Sequence, residues 1–172
     1  MLSAALLLLG CTGDHPQDSN DTADPSCFAD APALTIGSGE YDWVDLSQQS
    51  PVTMVHGPQG GWHMLGSARI DHTEPIVRIL FTIKVKDSGV VIADNTYTVQ
   101  MIRDQDCSGY YPGMYGYLDV SELADGEADT PPELLSNQPV IMEMTAEDLE
   151  GRSATASLEV IAVPDPVDIP KR

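Results

Sequence analysis

Alternation of apolar and polar side chains is the feature that most constrains this chain. From Val77 to Lys86 every second residue is apolar, and most residues between them are polar or charged. A period of two residues is typical of a β-strand with one buried face. The same period recurs in other segments, which turn-forming residues separate, and helical periodicity never extends beyond one or two turns. The chain is therefore predicted to be all-β.

Eight or nine short strands of this kind indicate a single antiparallel β-sandwich, immunoglobulin-like in the loose architectural sense. A closed β-barrel is the alternative. Strands are predicted at residues 34–36, 41–46, 52–56, 62–71, 77–86, 90–93, 97–102, 140–145 and 154–163, with a brief one at 118–120. The last two should form a hairpin. One helical turn is expected at 132–135, and an irregular loop at 108–117.

The N-terminal segment changes character at Cys11. The apolar run from Ala4 to Leu9 is too short to span a bilayer, which needs about 20 residues, but it fits the h-region of a secretory signal. From Thr12 to Pro25 no aliphatic residue is larger than Ala, so this stretch cannot offset the entropy of ordering. The predicted organisation is a signal peptide (1–10), a disordered acidic tether (11–26), a β-sandwich domain (27–163) and a flexible tail (164–172).

The three cysteines are predicted to have two different roles. If Cys11 is modified, Cys27 and Cys107 remain as an even pair, and an oxidising compartment would join them in a disulfide. The bridge would close a loop of about 80 residues, and it would tie the start of the domain to a central loop. Two free buried thiols are the alternative, and nothing marks either cysteine as an activated nucleophile.

The segment Leu8-Leu9-Gly10-Cys11 resembles the lipobox of bacterial lipoproteins. The resemblance implies that Cys11 is acylated, carries palmitate and becomes the mature N-terminus, so that a lipid anchors the protein in a membrane. Because Thr12 is not acidic, it also implies an outer-membrane lipoprotein that is periplasmic or surface-exposed. An ordinary cleaved signal or a plain hydrophobic N-terminus is the alternative. No Lys or Arg precedes the apolar run, so we expect the natural start upstream of Met1.

A second resemblance involves Gly57-Pro58-Gln59-Gly60-Gly61-Trp62-His63. This segment is similar to a G-x-Q-G-G-x-H turn of uncharacterised lipoproteins from environmental Gram-negative bacteria, which implies a secreted β-domain and no known activity. The structural interpretation is that Gly60 and Gly61 allow a tight approach where two strands meet. Gln59 would then satisfy the amides of the loop.

The charge of the chain restricts its partners. The formal net charge is -19, with only 8 Lys plus Arg residues. Binding to phosphate backbones needs a basic footprint, so nucleic acid is excluded as a partner class. Anionic membrane surfaces would repel the domain for the same reason. A lipid therefore remains as the expected link to the membrane.

Four tyrosines surround Pro112-Gly113 and Gly116, and they are the preferred binding residues: Tyr110, Tyr111, Tyr115 and Tyr117. Tyrosine supplies a large contact area at little cost in side-chain entropy. We expect these residues to contact a glycan or protein partner of the cell envelope. The alternative is that one or two of them pack onto the edge of the sandwich and hydrogen-bond its backbone.

His56 and His63 are the candidates for a metal site, and Met54 and Met64 lie nearby. Imidazole with thioether suits copper. Strict alternation, however, places His63 and Met64 on opposite faces of one strand, and both methionines are predicted core residues. The acidic clusters match no calcium-binding loop and are predicted to be solvated. No cofactor is predicted.

The recognised catalytic motifs are absent from the sequence, including the nucleophile elbow, the zinc-protease helix, the phosphate loop and the dinucleotide-binding glycines. The prediction is a lipid-anchored, extracytoplasmic, non-catalytic binding or structural module of the cell envelope. A copper-binding envelope protein is the first alternative. A hydrolase that uses scattered carboxylates is the second.

Overall fold

The computed structural model describes residues 25–58, 60–105, 107–124 and 130–167. The predicted signal peptide, the lipidation site Cys11 and most of the tether lie outside these residues, as do Gln59 and residues 168–172. None of the helices in the described ranges is long and apolar enough to cross a membrane.

Ten strands account for most of the described residues. In chain order they are β1 (Ala33–Ser38), β2 (Val44–Asp45), β3 (Ser50–His56), β4 (Trp62–Asp71), β5 (Ile76–Val85), β6 (Val91–Gln100), β7 (Ile102–Gln105), β8 (Ser108–Leu118), β9 (Gln138–Asp148) and β10 (Ser153–Pro164). A 3-10 helix, Pro25–Phe28, precedes β1, and helix α1, Pro131–Leu135, precedes β9. The predicted helical turn is thereby confirmed; a capping box between Thr130 and Glu133 starts it.

The strands form one sheet in the order β2-β1-β4-β3-β10-β9-β5-β6. Strand β4 also pairs with β8, and β8 in turn pairs with β7. The all-β prediction is confirmed, and so is the hairpin of β9 and β10, whose turn places Gly151 at φ 79°. Strands β3 and β10 run parallel. This pair is the departure from the antiparallel arrangement that the sequence predicts.

Strand β4 changes its partner along one edge. Residues 62–64 of β4 pair with β3, whereas residues 67–71 pair with β1. Strand β3 lies between β4 and β10, because its residues 54–56 pair with β4 and its residues 50–54 pair with β10. The other edge of β4 pairs with β8 along its whole length. The sheet curls so that β4 and β8 face β5 and β9 across the core, as in a β-sandwich.

Two glycines allow the halves of the sheet to meet across the core. A Cβ atom on Gly66 of β4 would lie 2.7 Å from Cζ of Phe81, and one on Gly116 of β8 would lie 2.6 Å from Cδ1 of Ile83. Phe81 of β5 is fully buried in this space. The prediction that Met54 and Met64 are core residues is confirmed, because both are completely buried.

Of the strand predicted at 41–46, only residues 44 and 45 form a strand, β2. Two further local predictions were wrong. The segment 90–102 does not turn at Asp94 and Asn95, because both residues pair with β5, opposite Thr82 and Phe81. The predicted irregular loop at 108–117 is strand β8, which pairs with β4. In both places the backbone hydrogen bonds of a long neighbouring strand outweigh the turn propensity of Asp, Asn, Pro and Gly.

The predicted disulfide between Cys27 and Cys107 is confirmed; their Cα atoms lie 4.9 Å apart and 80 residues separate them. It joins the 3-10 helix to the turn between β7 and β8. The backbone N–H of His72, which follows β4, donates to the carbonyl oxygen of Cys107 at 2.7 Å. Nδ1 of His72 lies 3.1 Å from the carbonyl oxygen of Cys27. The bridge therefore fixes three chain segments at one end of the sheet.

The buried carboxylate of Asp148 joins further chain segments at the same end of the sheet. Oδ1 of Asp148 accepts from the backbone N–H groups of Glu150 and Arg152, and Oδ2 accepts from that of Glu74 at 3.2 Å. The guanidinium of Arg152 forms an ion pair with Asp148 and covers the ring of Phe28 at 4.1 Å. Burial raises the pKa of the Asp148 carboxyl, but these donors outweigh it and hold the pKa below its usual value.

Replacing both disulfide cysteines, Cys27→Ala with Cys107→Ala, should lower the free energy of unfolding by about 4–5 kcal/mol. The bridge removes the closure entropy of a long loop from the unfolded chain, as the chain-entropy model describes. Urea unfolding at constant pH measures the change, and wild-type protein in reducing agent should match the variant. An unchanged unfolding midpoint in the double variant would contradict this expectation.

Asp148→Asn should lower the free energy of unfolding by about 3 kcal/mol near pH 7, because it leaves the Arg152 guanidinium without its counter-charge. A carboxyl with a lowered folded-state pKa stabilises the protein above the unfolded value of about 3.9, and this contribution is lost as the pH falls through the folded-state pKa. The difference between wild type and variant should therefore shrink below about pH 4. Asp87→Asn, in the exposed β5–β6 turn, is the control and should change little. A difference that stays constant down to about pH 2 would rule out this role for the carboxylate.

Candidate functional site

The four predicted binding tyrosines lie on strand β8, and its pairing with β4 divides them between different surroundings. Tyr115 is opposite Leu65, and Tyr117 is opposite His63. These two rings lie on the outer face of the sheet. Tyr111 is opposite the fully buried Ala68 and packs against the core. The four residues therefore do not form the single contact loop that the sequence predicts.

A β-bulge at Pro112 and Gly113 produces this division. The register of β8 against β4 shifts between Gly66 and Ala68, so that two residues of β8 lie opposite Ser67 alone. Gly113 adopts φ 72°, and its N–H donates to the carbonyl oxygen of Gly39 at 2.9 Å. The extra residue places Tyr110 and Tyr115, five residues apart, on the same outer face.

We define the aromatic patch as His63, Tyr115 and Tyr117. The two tyrosine rings stack with centroids 5.8 Å apart and an interplanar angle of 15°. The ring of His63 meets Tyr115 edge-on at 4.7 Å and Tyr117 at 6.4 Å. His63 is buried beneath this pair, whereas 59% of Tyr117 is exposed. The patch therefore presents tyrosine rings to solvent on a support that the sheet holds in place.

The loop between β1 and β2 places charge beside the patch. Burial lowers the pKa of the His63 imidazole, and the nearby carboxylate of Glu40 partly opposes this shift. A hydrogen bond to Glu40, followed by its negative charge, raises the pKa of the exposed Tyr41 hydroxyl. At neutral pH the patch therefore contains a neutral imidazole, and the Tyr41 hydroxyl beside it keeps its proton.

Tyr110 belongs to a second aromatic group, farther along the same face. The guanidinium carbon of Arg69 lies 4.6 Å from the ring centroid of Trp43 and 5.9 Å from that of Tyr110. The indole N–H of Trp43 donates to Oδ1 of Asp45 at 2.7 Å. Nothing in the sequence indicates this group, because only the tertiary structure brings Trp43 of the β1–β2 loop to Arg69 of β4 and Tyr110 of β8.

A groove runs beside the patch where β6 and β8 lie next to each other. The hydroxyl of Tyr97 donates to the carbonyl oxygen of Tyr115 at 2.5 Å, and the backbone N–H of Tyr117 donates to Oδ1 of Asn95 at 3.1 Å. A backbone hydrogen bond joins the same two segments, since the N–H of Asp119 donates to the carbonyl oxygen of Ile92 at 2.7 Å. The groove has a volume of about 290 Å³. Its lining includes Asp94, Asn95, Tyr117 and Asp119.

Hydrogen bonds from Ser121 hold the pKa of the Asp119 carboxyl below its usual value, so this wall of the groove is negatively charged at neutral pH. Asp94, Asn95 and Asp119 were absent from the predicted site. The sequence offered no signal for Asp94 and Asn95, because their proximity to Tyr117 depends on how the sheet curls. Asp119 lies two residues after Tyr117, and the period of two along a strand could have placed these two residues on one face.

The two candidate metal ligands are not brought together. In the pairing of β3 with β4, His56 is opposite Trp62, whereas His63 is opposite Val55. The imidazoles therefore point to opposite faces of the sheet. The ring of His56 packs against Trp62 with centroids 4.9 Å apart. Within the described ranges, no three His, Cys, Asp or Glu residues are grouped so that they could hold a metal ion.

No protein-family model matches the chain, and no curated protein sequence matches it. Among solved structures, one similar chain is the CooA pilin subunit from enterotoxigenic Escherichia coli. The two chains are 10% identical with a TM-score of 0.37, and the match covers 80% of this chain and 100% of the pilin chain. Similarity at this level carries no argument about function.

The imidazole of His63 should titrate below the usual value of about 6.5, because burial disfavours its charged form. Histidine proton resonances followed by NMR against pH measure the midpoint, and His63→Gln assigns the signal. Glu40→Gln should lower the midpoint further, since the Glu40 carboxylate favours the imidazolium. A His63 midpoint at or above the usual value would show that the imidazole is solvated and not beneath the tyrosines.

Proposed function

We propose that this protein is a non-catalytic binding module of the cell envelope, anchored by a lipid on Cys11, and that its aromatic patch contacts the partner. The observation that carries the proposal is the stacked pair of the half-buried Tyr115 and the exposed Tyr117, whose rings contact a buried imidazole. Exposed aromatic side chains on a rigid support are typical of recognition surfaces, because they bury a large area and lose little conformational freedom.

The disulfide between Cys27 and Cys107 supports an extracytoplasmic location, since such bridges persist in oxidising compartments. The lipobox-like segment ending at Cys11 and the polar stretch after it support an anchor followed by a tether. Thr12 at the next position favours the outer membrane. The net charge of -19 makes a lipid the more suitable attachment, because the domain itself is repelled by anionic headgroups.

The role of Asp148 favours binding over hydrolysis. A general acid of a carboxylate-dependent hydrolase needs a raised pKa and access to a substrate. Asp148 is the one buried carboxylate among the described residues. Its pKa is lowered, and its oxygens accept hydrogen bonds from the backbone and from Arg152. This arrangement supports a structural role for Asp148, whose burial is the property that it shares with a catalytic acid.

Membrane fractionation and envelope co-sedimentation test the two halves of the proposal. Cys11→Ser should move the protein from the membrane pellet to the soluble extracytoplasmic fraction. In that soluble background, the added pair Tyr115→Ala and Tyr117→Ala should weaken co-sedimentation with purified envelope fragments by about tenfold or more.

Leu149→Ala removes an exposed side chain in the β9–β10 turn and serves as the matched control, with unchanged sedimentation. If Cys11→Ser protein remains as membrane-bound as wild type, the lipid anchor is refuted. Sedimentation that does not depend on the tyrosines would refute the binding face.

A further inference from the structure

The geometry points to the groove beside Tyr117 as a binding site for neutral carbohydrate, which would take one or two sugar residues. This inference rests on the proposed function and narrows the partner of the same surface to one chemical class. It depends on three observations: a fixed aromatic platform, a set of hydrogen-bonding groups in the adjoining groove, and the sign of the charge there.

The platform is the ring of Tyr117. Its backbone is held by Oδ1 of Asn95, and its ring stacks on Tyr115, which rests against His63. The C–H groups on one face of a pyranose ring carry partial positive charge, and they pack well on the negative face of an aromatic ring. Because strand pairing fixes the platform in advance, little order has to be gained when a sugar binds.

The hydrogen-bonding groups line the same groove. Asp94 and Asp119 offer carboxylate oxygens, which only accept, and Asn95 offers an amide. Sugar hydroxyl groups are donors that suit carboxylate acceptors. The volume of about 290 Å³ lies near the lower limit for small-molecule sites. The groove therefore has room for a short part of a glycan, with the remainder of the chain in solvent.

The charge selects against acidic sugars. Asp94 and Asp119 lie in a lining that contains no Lys or Arg, and the whole chain carries a net charge of -19. A uronate or a phosphorylated sugar would bring a further negative charge to this wall and would be repelled. Neutral hexoses and N-acetylhexosamines carry the hydroxyl groups without that cost.

An oligosaccharide array that carries neutral hexose, N-acetylhexosamine and uronate chains, probed with the soluble Cys11→Ser protein, tests the inference. Binding should occur to neutral chains and not to uronates. For the bound oligosaccharide, calorimetry should give an affinity at least about tenfold weaker for Tyr117→Ala. Tyr117→Phe keeps the ring and should remain within about threefold of wild type. Asp94→Asn and Asp119→Asn should each weaken binding, whereas Asp87→Asn and Leu149→Ala, which lie outside the groove and the aromatic patch, should not.

Saturation-transfer NMR on the protein with an intact Tyr117 provides a readout that does not depend on the folding of any variant. Saturation of aromatic protons should pass to the ring protons of the bound sugar, and Tyr117→Phe should preserve the effect. Binding to a neutral sugar without this transfer would overturn the placement in the groove.

Other outcomes separate this inference from the proposed function. If no neutral oligosaccharide binds while envelope co-sedimentation still requires Tyr115 and Tyr117, the carbohydrate assignment is wrong and the binding face stands. Binding of a peptide library at Tyr117 in place of sugars would likewise overturn it, and binding of uronates would refute the charge argument. If replacing both tyrosines leaves co-sedimentation unchanged, the proposed function itself is refuted.

Discussion

The hydrogen bonding of strand β4 is the interaction on which the rest of this structure depends. One edge pairs with β8 throughout, and the other pairs first with β3 and then with β1. A strand cannot hold two partners at one position of one edge, so β3 and β1 share this edge of β4 between them. Strand β3 pairs with β10 as well, and β4 thereby connects β1 and β8 to the rest of the curled sheet that encloses the core.

The two ends of the β4–β8 ladder have different roles. Contacts at one end stabilise the protein, and the other end presents aromatic side chains to solvent. At one end, the bridge between Cys27 and Cys107, together with Asp148, ties the loops that enter and leave the ladder. The aromatic patch lies at the other end, about 30 Å away for strands of this length. The disulfide therefore does not hold Tyr117 directly. Its support comes from its neighbours Asn95 and Tyr115, which the sheet itself positions.

Glycines at the centre of the ladder connect these two roles. Gly66 and Gly116 leave room for Phe81, so the outer face of β4 and β8 rests on a filled core. A well-packed core resists local deformation. The stacked side chains on the opposite face of the same strands are consequently held in fixed positions. A recognition surface that no loop closes over depends on such preorganisation.

The sequence by itself determined the all-β class, the β9–β10 hairpin, the helical turn of α1, the pairing of Cys27 with Cys107 and the burial of Met54 and Met64. Each follows from a period of two, a local turn or an even number of cysteines. Only the tertiary structure decided that β6 continues through Asp94 and Asn95, since the gain from pairing with β5 exceeds their turn propensity.

The site divides in the same way. Tyr115 and Tyr117 could be named from composition, whereas their separation from Tyr111 follows from a bulge opposite Ser67. Asp119 follows Tyr117 by two residues, whereas the proximity of Asp94 and Asn95 depends on the contact between β6 and β8, which only the curled sheet produces. Periodicity assigns side chains to a face, but one inserted residue reverses that assignment, and only the register of the partner strand shows where the insertion lies.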